Sequence, residues 1–126
     1  MNFSQDFKNT ESLLRGINKQ PNFWDSEENR PTSAAFKDKK GVSVNRTGEN
    51  KQYYVQSLEC LKNKLGERLR SSVELNVDFC IELGLHLKYC PLDDNIYHSE
   101  IHKSENEPSL TKSVSRKLSE ICNIIN

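Results

Sequence analysis

The chain predicts a small α+β domain, a mainly antiparallel sheet covered by two amphipathic helices. Three observations carry that expectation. Apolar residues occupy every second position from Val73 to Tyr89, as in extended chain. They recur instead at helical spacing over 54–65 and again near the C-terminus. And 126 residues suffice for one core but not for two.

Composition sets the limits. Leu, Ile, Val and Phe supply 31 of 126 residues, about 25%, above the roughly 20% below which chains stay disordered. Lys plus Arg is 18 and Asp plus Glu is 18, so net charge offers no pull toward nucleic acid or an anionic membrane. Cys60, Cys80, Cys90 and Cys122 form no C-x-x-C pair, and free thiols in a reducing cytoplasm are expected. No run approaches the roughly 18 apolar residues of a membrane span, and the first residues lack the apolar core of a signal peptide. A soluble cytoplasmic protein is the reading.

Residues 1–10 are polar with two isolated Phe and read as a flexible N-terminal arm, leaving 11–126 as the single domain. Ser12–Ile17 is short, apolar and interrupted by Gly16, which suits an edge or strained strand. Residues 18–32 read as a long loop that Phe23 and Trp24 anchor by burying aromatic area. Ser33–Phe36 and Val42–Val44 read as the strands of a small hairpin, joined by a charged turn ending in Gly41.

Tyr54, Leu58, Leu61 and Leu65 then fall on one helical face, with Asn50 as N-cap and Gly66 at the C-terminal end. Over 72–89 a helix would scatter the alternating apolar positions, so strand is preferred. The span is too long for one strand, and a bend near Gly84 should divide it. The competing sign is Ser71-x-x-Glu74, a possible capping box. A turn at 91–95 leads into a strand over 96–102. From about Ser109, Leu110, Val114, Leu118, Ile121 and Ile125 mark the second helix. Both helices are expected on one face of the sheet, with Leu118 in the core.

Two constellations could carry chemistry. Alternation puts His98, Glu100 and His102 on one strand face, and a hairpin about 91–95 would set His86 opposite Glu100 or His102. Imidazoles with a carboxylate suit a metal or acid/base work, which makes His86, His98 and His102 the metal candidates. The plain alternative, a solvated polar face with no metal, is preferred because no fixed-spacing motif such as H-E-x-x-H appears. The second constellation is Arg15, Arg30, Ser33 and Ser43, where guanidinium and hydroxyl groups could hold a phosphate or carboxylate. Its alternative is that Arg30 merely pins the loop and Ser33 is small because strands pack closely there. No glycine-rich phosphate loop or nucleophile elbow is present.

The succession Leu14-Arg15, Asp25, Arg30-Pro31-Thr32-Ser33-Ala34-Ala35-Phe36, Val42-Ser43-Val44 and Pro91 through Asn95 with His98 and Glu100 resembles an uncharacterised family of short bacterial proteins. Those share an R-P-S-S-A-A-F segment, a following S-V-D and a later N-P-x-H-A-E-V. This chain departs with Thr32 for Ser, Asn45 where Asp is usual and Ile96-Tyr97 for Pro-Ala, so it has no carboxylate at 45. A second, slighter likeness is to ADP-ribosyltransferases of the Arg-Ser-Glu type, through Leu14-Arg15-Gly16, Thr32-Ser33 and Glu105-Asn106-Glu107.

The expectation is therefore an accessory protein that binds another macromolecule, as a protein partner or homo-oligomer, with no cofactor and no membrane or nucleic-acid role. The kind of protein it resembles implies a host-defence, toxin–antitoxin or mobile-element locus. The competing class is a small enzyme or ligand-binding domain with Arg15, Arg30, Ser33, Ser43, His98 and Glu100 in one pocket. Convergence of those side chains would favour the second class, and dispersal the first.

Overall fold

The computed structural model describes residues 3–125. The fold is α+β, as the periodicities require. A six-stranded antiparallel sheet has the order β6-β7-β4-β1-β5-β8, and a two-residue ladder pairs β2 with β3. The elements are β1 (Ser12–Asn18), β2 (Trp24–Asp25), β3 (Arg30–Pro31), β4 (Val42–Arg46), α1 (Tyr54–Leu65), β5 (Leu69–Asn76), α2 (Val77–Glu82), β6 (His86–Tyr89), β7 (His98–His102), α3 (Lys112–Ile121) and β8 (Asn123–Ile124).

The helices lie on opposite faces of the sheet rather than sharing one. On the first face, Leu13 and Ile17 of β1, Val42 and Val44 of β4, Val73 and Leu75 of β5 and Ile101 of β7 pack with Phe36, Leu118 and Cys122. Leu118 is fully buried there. On the second face, Leu14 and Gly16 turn the other way, and a methyl group at Gly16 would run into Leu65 of α1. Asn45, also of this face, donates from its amide to the Ser57 carbonyl inside α1. Leu58, Leu61 and Leu65 are accordingly only half-buried and do not join Leu118. The split follows from strand alternation: β1 is central and apolar on both sides, so each side needs a cover. Gly16 marks where α1 comes close, not a strand at the edge.

Three further expectations give way. Residues 72–89 are divided by a helix: β5 ends at Asn76, α2 buries Val77 and Cys80 at i and i+3, and Gly84 at φ 75° turns the chain into β6. Ser33–Phe36 is a 3₁₀ turn that buries Ala35 and Phe36, not a strand, so no hairpin joins it to β4. Asn50 is not the cap of α1. It sits at φ 55° in a 3₁₀ turn over Glu49–Lys51, and Tyr53 holds the N-cap position. At the far end of α1, Gly66 does terminate the helix, at φ 53°, its N–H reaching the Lys62 carbonyl.

α3 begins at Lys112, with the Thr111 hydroxyl accepting from the Val114 N–H at 3.2 Å. It stops at Ile121, so Ile125 lies beyond the helix in a tail that pairs with β5. The loop 18–32 is built from a 3₁₀ turn (Pro21–Phe23) and the β2–β3 ladder, with Phe23 and Trp24 packed on the core. The arm segment from Phe3 onward runs over Arg46, which donates to the carbonyls of Ser4 and Asp6 and lies under the rings of Phe3 and Phe7. Met1 and Asn2 lie outside the described residues.

Candidate functional site

The candidate residues divide between the two faces. Arg15 points to the first, where its Nε donates to the Ala35 carbonyl at 2.8 Å and its Nη1 to the Ser43 carbonyl at 2.7 Å. It also lies 5.8 Å above the Phe36 ring. Burial lowers its pKa to about 10, opposed by the nearby Asp38. Arg30 reaches the C-terminal end of α3. There its Nη2 donates to the carbonyls of Ser119, Glu120 and Cys122 at 3.1, 3.0 and 2.8 Å. Those carbonyls are the ones a helix end leaves without partners, and a cation suits the negative pole of the dipole.

Both guanidinium groups are therefore brackets within the fold. Ser33 lies near Arg30 in a concavity of about 420 Å³ that also includes Arg116. Asp25, Glu28 and Glu120 line it as well, so three carboxylates meet two guanidinium groups. That balance does not suit an anion. The second likeness loses its geometry here too, since Ser33 is on a 3₁₀ turn and Glu107 pairs with Lys103 at 3.2 Å.

On the second face the histidine constellation assembles. Register sets His86 opposite His102, Lys88 opposite Glu100, Glu100 opposite Ser43 and His98 opposite Asn45. Residues opposite one another in antiparallel strands share a face. His86, His98, Glu100 and His102 thus lie on the side that α1 covers chiefly over β1 and β4. The rings of His86 and His102 are 6.1 Å apart, and His102 Nε2 is 2.8 Å from Glu100 Oε1. His102 is seated against Gly41, whose φ of 105° and missing side chain leave room for the ring: a Cβ there would lie 2.5 Å from it.

His98 Nδ1 is 2.9 Å from the Cys90 carbonyl, which only accepts, so Nδ1 carries the hydrogen and Nε2 is free to accept from Ser43 Oγ at 3.4 Å. Cys90 Sγ is 3.5 Å from the same Nδ1. Burial and the neighbouring Glu100 push the Cys90 thiol up to about 11. A protonated thiol is a poor nucleophile, which argues against Cys–His catalysis in this state.

Sequence reasoning brought Ser43, His98 and Glu100 forward and overlooked Cys90, although the signal was there: 86, 88 and 90 are successive same-face positions. It also overlooked the buried amide pair beneath the patch, where Asn95 Nδ2 donates to Asn45 Oδ1 at 2.8 Å. Asn45 serves there as acceptor and donor at once. A concavity of about 480 Å³ between α1 and the 91–97 turn, lined by Cys60, Lys64 and Asp94, holds none of the six candidates.

No protein-family model, curated protein or solved structure matches the chain. No helix among the described residues is long and apolar enough to cross a membrane.

Proposed function

We propose that the chain is a small cytoplasmic accessory module that works by binding a protein partner through the open side of β6 and β7. The observation that supports this reading is the fate of Arg15 and Arg30. An anion pocket needs its guanidinium groups free, and these two are bound to main-chain carbonyls on one side of the sheet while His98 and Glu100 lie on the other. What remains for recognition is a mixed-charge surface with Ser43, Lys88, His98 and Glu100. Leu92 and Ile96, 44% and 40% exposed, sit in the turn that joins the two strands. Apolar side chains beside a polar rim are the ordinary make-up of a protein-binding surface. The resemblance to short bacterial proteins favours a defence, toxin–antitoxin or mobile-element setting.

The test is quantitative co-purification of the tagged protein at native abundance, against the double variant Lys88→Glu/Ile96→Asp. One protein captured near stoichiometry and at least tenfold less by the variant, while Lys117→Glu on α3 captures it normally, supports the reading. Self-association lost in the same variant supports it with a second copy as the partner. Capture indifferent to the double variant, or neither partner nor self-association, overturns it.

A further inference from the structure

We propose that Cys90, His98 and Glu100 form a binding site for one Zn²⁺ ion on the open face of β6 and β7, with water in the fourth position. The three residues are placed by the hairpin. Cys90 follows directly on β6, and its N–H donates to the His98 carbonyl, so the two stand across from each other. Glu100 is two residues further along β7, on the same face. Their ligand atoms all lie within 4.8 Å of one another.

The separation of sulfur and nitrogen carries the argument. Zinc holds sulfur at about 2.3 Å and imidazole nitrogen at about 2.0–2.1 Å, and at a tetrahedral angle those bonds put the two ligand atoms about 3.6 Å apart. Cys90 Sγ and His98 Nδ1 are 3.5 Å apart. The pair is spaced for a shared ion once the His98 ring turns Nδ1 away from the Cys90 carbonyl, which lies 2.9 Å from that nitrogen in the metal-free protein. A Glu100 carboxylate oxygen already lies within 4.8 Å of both, and a small adjustment that keeps Oε1 at His102 completes the set.

Two neighbours supply the outer support that ligating side chains ordinarily have. Ser43 Oγ lies at the far nitrogen of His98, and His102 Nε2 lies at Glu100 Oε1. On binding, the Cys90 thiol proton passes to solvent. The His98 hydrogen moves from Nδ1, where it faces the Cys90 carbonyl, to Nε2, where it donates to Ser43. Ser43 already stands within reach of Nε2, and the Cys90 carbonyl gives up its hydrogen bond from Nδ1.

Donor chemistry selects the ion. Magnesium and calcium take oxygen ligands almost exclusively, whereas one thiolate, one imidazole and one carboxylate form a mixed set of the kind zinc accepts. Three protein ligands leave one position open, and the half-buried face admits water to it. The inference does not depend on partner binding, and either can fail alone.

The reduced, chelator-treated 126-residue chain is titrated with zinc chloride and, separately, with cobalt chloride. The expected result is one equivalent bound, with a thiolate-to-cobalt charge-transfer band in the near ultraviolet. Cys90→Ala should abolish the band and Cys60→Ala should retain it, with unchanged far-ultraviolet circular dichroism in both. Glu100→Gln should weaken zinc by at least tenfold, and Ser43→Ala by roughly 10–100-fold, as loss of outer support does. These two keep the proposal testable if Cys90→Ala fails to fold. A band that persists in folded Cys90→Ala or vanishes in Cys60→Ala, zinc affinity unchanged in both Glu100→Gln and Ser43→Ala, or no binding by the wild type, overturns it.

Discussion

Arg46 and Glu11 meet as a bidentate pair sealed from solvent, Nε to Oε1 at 2.8 Å and Nη2 to Oε2 at 2.9 Å. The carboxylate also accepts from the Gly48 and Lys8 N–H groups, at 3.0 and 2.9 Å. The guanidinium lies 4.6, 4.1 and 4.9 Å from the ring centres of Phe3, Phe7 and Tyr89. Through this one pair, the arm from Phe3 to Thr10 is tied to β4 and β6. The polar arm and its two Phe residues are explained by what they enclose.

A buried ion pair contributes less than its Coulomb energy suggests, because both ions leave water, but removing one partner strands the other. Glu11→Gln keeps only one acceptor oxygen, and so at most two of the four hydrogen bonds, and it removes the compensating charge. It should cost about 3–5 kcal/mol in denaturant unfolding. The double variant Glu11→Gln/Arg46→Met should recover part of that loss, since no charge is then left in the aromatic box. A cost below about 1 kcal/mol for the single variant, the range of an exposed pair, would contradict this account.

The second prediction concerns the opposite end of the core. Leu118 is fully buried between α3 and the sheet, among Phe36, Val73 and Leu75. Truncation leaves a void that close-packed strands refill only in part. Leu118→Ala should cost roughly 2–5 kcal/mol. Leu65→Ala, on the other face and half-buried, should cost clearly less. Equal losses would mean that the two layers do not differ as described.

Length of alternation was no guide: the longest run, 73–89, hides a helix, whereas short strands bounded by turns were readable. β7 is the clearest case: five residues, one face polar, and the register that unites His86, His98, Glu100 and His102 follows from it. α2 was hidden because six residues make fewer than two turns. Val77 and Cys80 are buried at i and i+3 while Ile81 is 51% exposed, so alternation and helical spacing look alike over so short a run. Ser33–Phe36 is shorter still. That Arg30 pins the loop was among the alternatives the sequence offered, but what Arg15 and Arg30 bind was beyond sequence reasoning for another reason. Their acceptors are main-chain carbonyls, which every residue has, and those of Arg30 lie 89 to 92 positions away. Side-chain chemistry gives no sign of such a partner.

The third prediction is a titration. Lys64 Nζ and Asp94 Oδ2 are 2.7 Å apart on the surface, joining α1 to the 91–95 turn. The Lys64 ammonium, through its hydrogen bond and then its charge, holds the Asp94 carboxyl below its ordinary 3.8. A carboxyl depressed on folding adds stability that is present above its unfolded pKa and lost as pH falls through its folded one. The window therefore lies below about pH 3.8, and the effect is small because water and salt screen an exposed pair. Carbonyl carbon shifts followed by NMR should place Asp94 below 3.8 in the native protein, and Lys64→Gln should move it back up. An Asp94 midpoint indifferent to that substitution would refute the pairing.

The last prediction concerns the thiols. All four cysteines are free. Cys80 and Cys122 are buried in the first-face core, and Cys60 and Cys90 are half-buried. Burial pushes the Cys80 thiol up to about 12 and raises those of Cys60 and Cys122. For Cys122 the neighbouring Arg30 opposes the rise. The thiolate is the reactive form, so both access and charge protect Cys80. Alkylation of the native metal-free protein should therefore modify Cys60 and Cys90 first and slowly. Cys80 and Cys122 should react only at the rate at which the domain opens. Denatured without reductant, the protein should present four reactive thiols, and two or fewer would mean a disulfide that the fold does not contain. Leu118→Ala should speed the labelling of Cys122, its neighbour in the core, by the same free energy that it removes from global stability, provided the two share one opening unit. Faster labelling of Cys60 instead would place that unit on the α1 face.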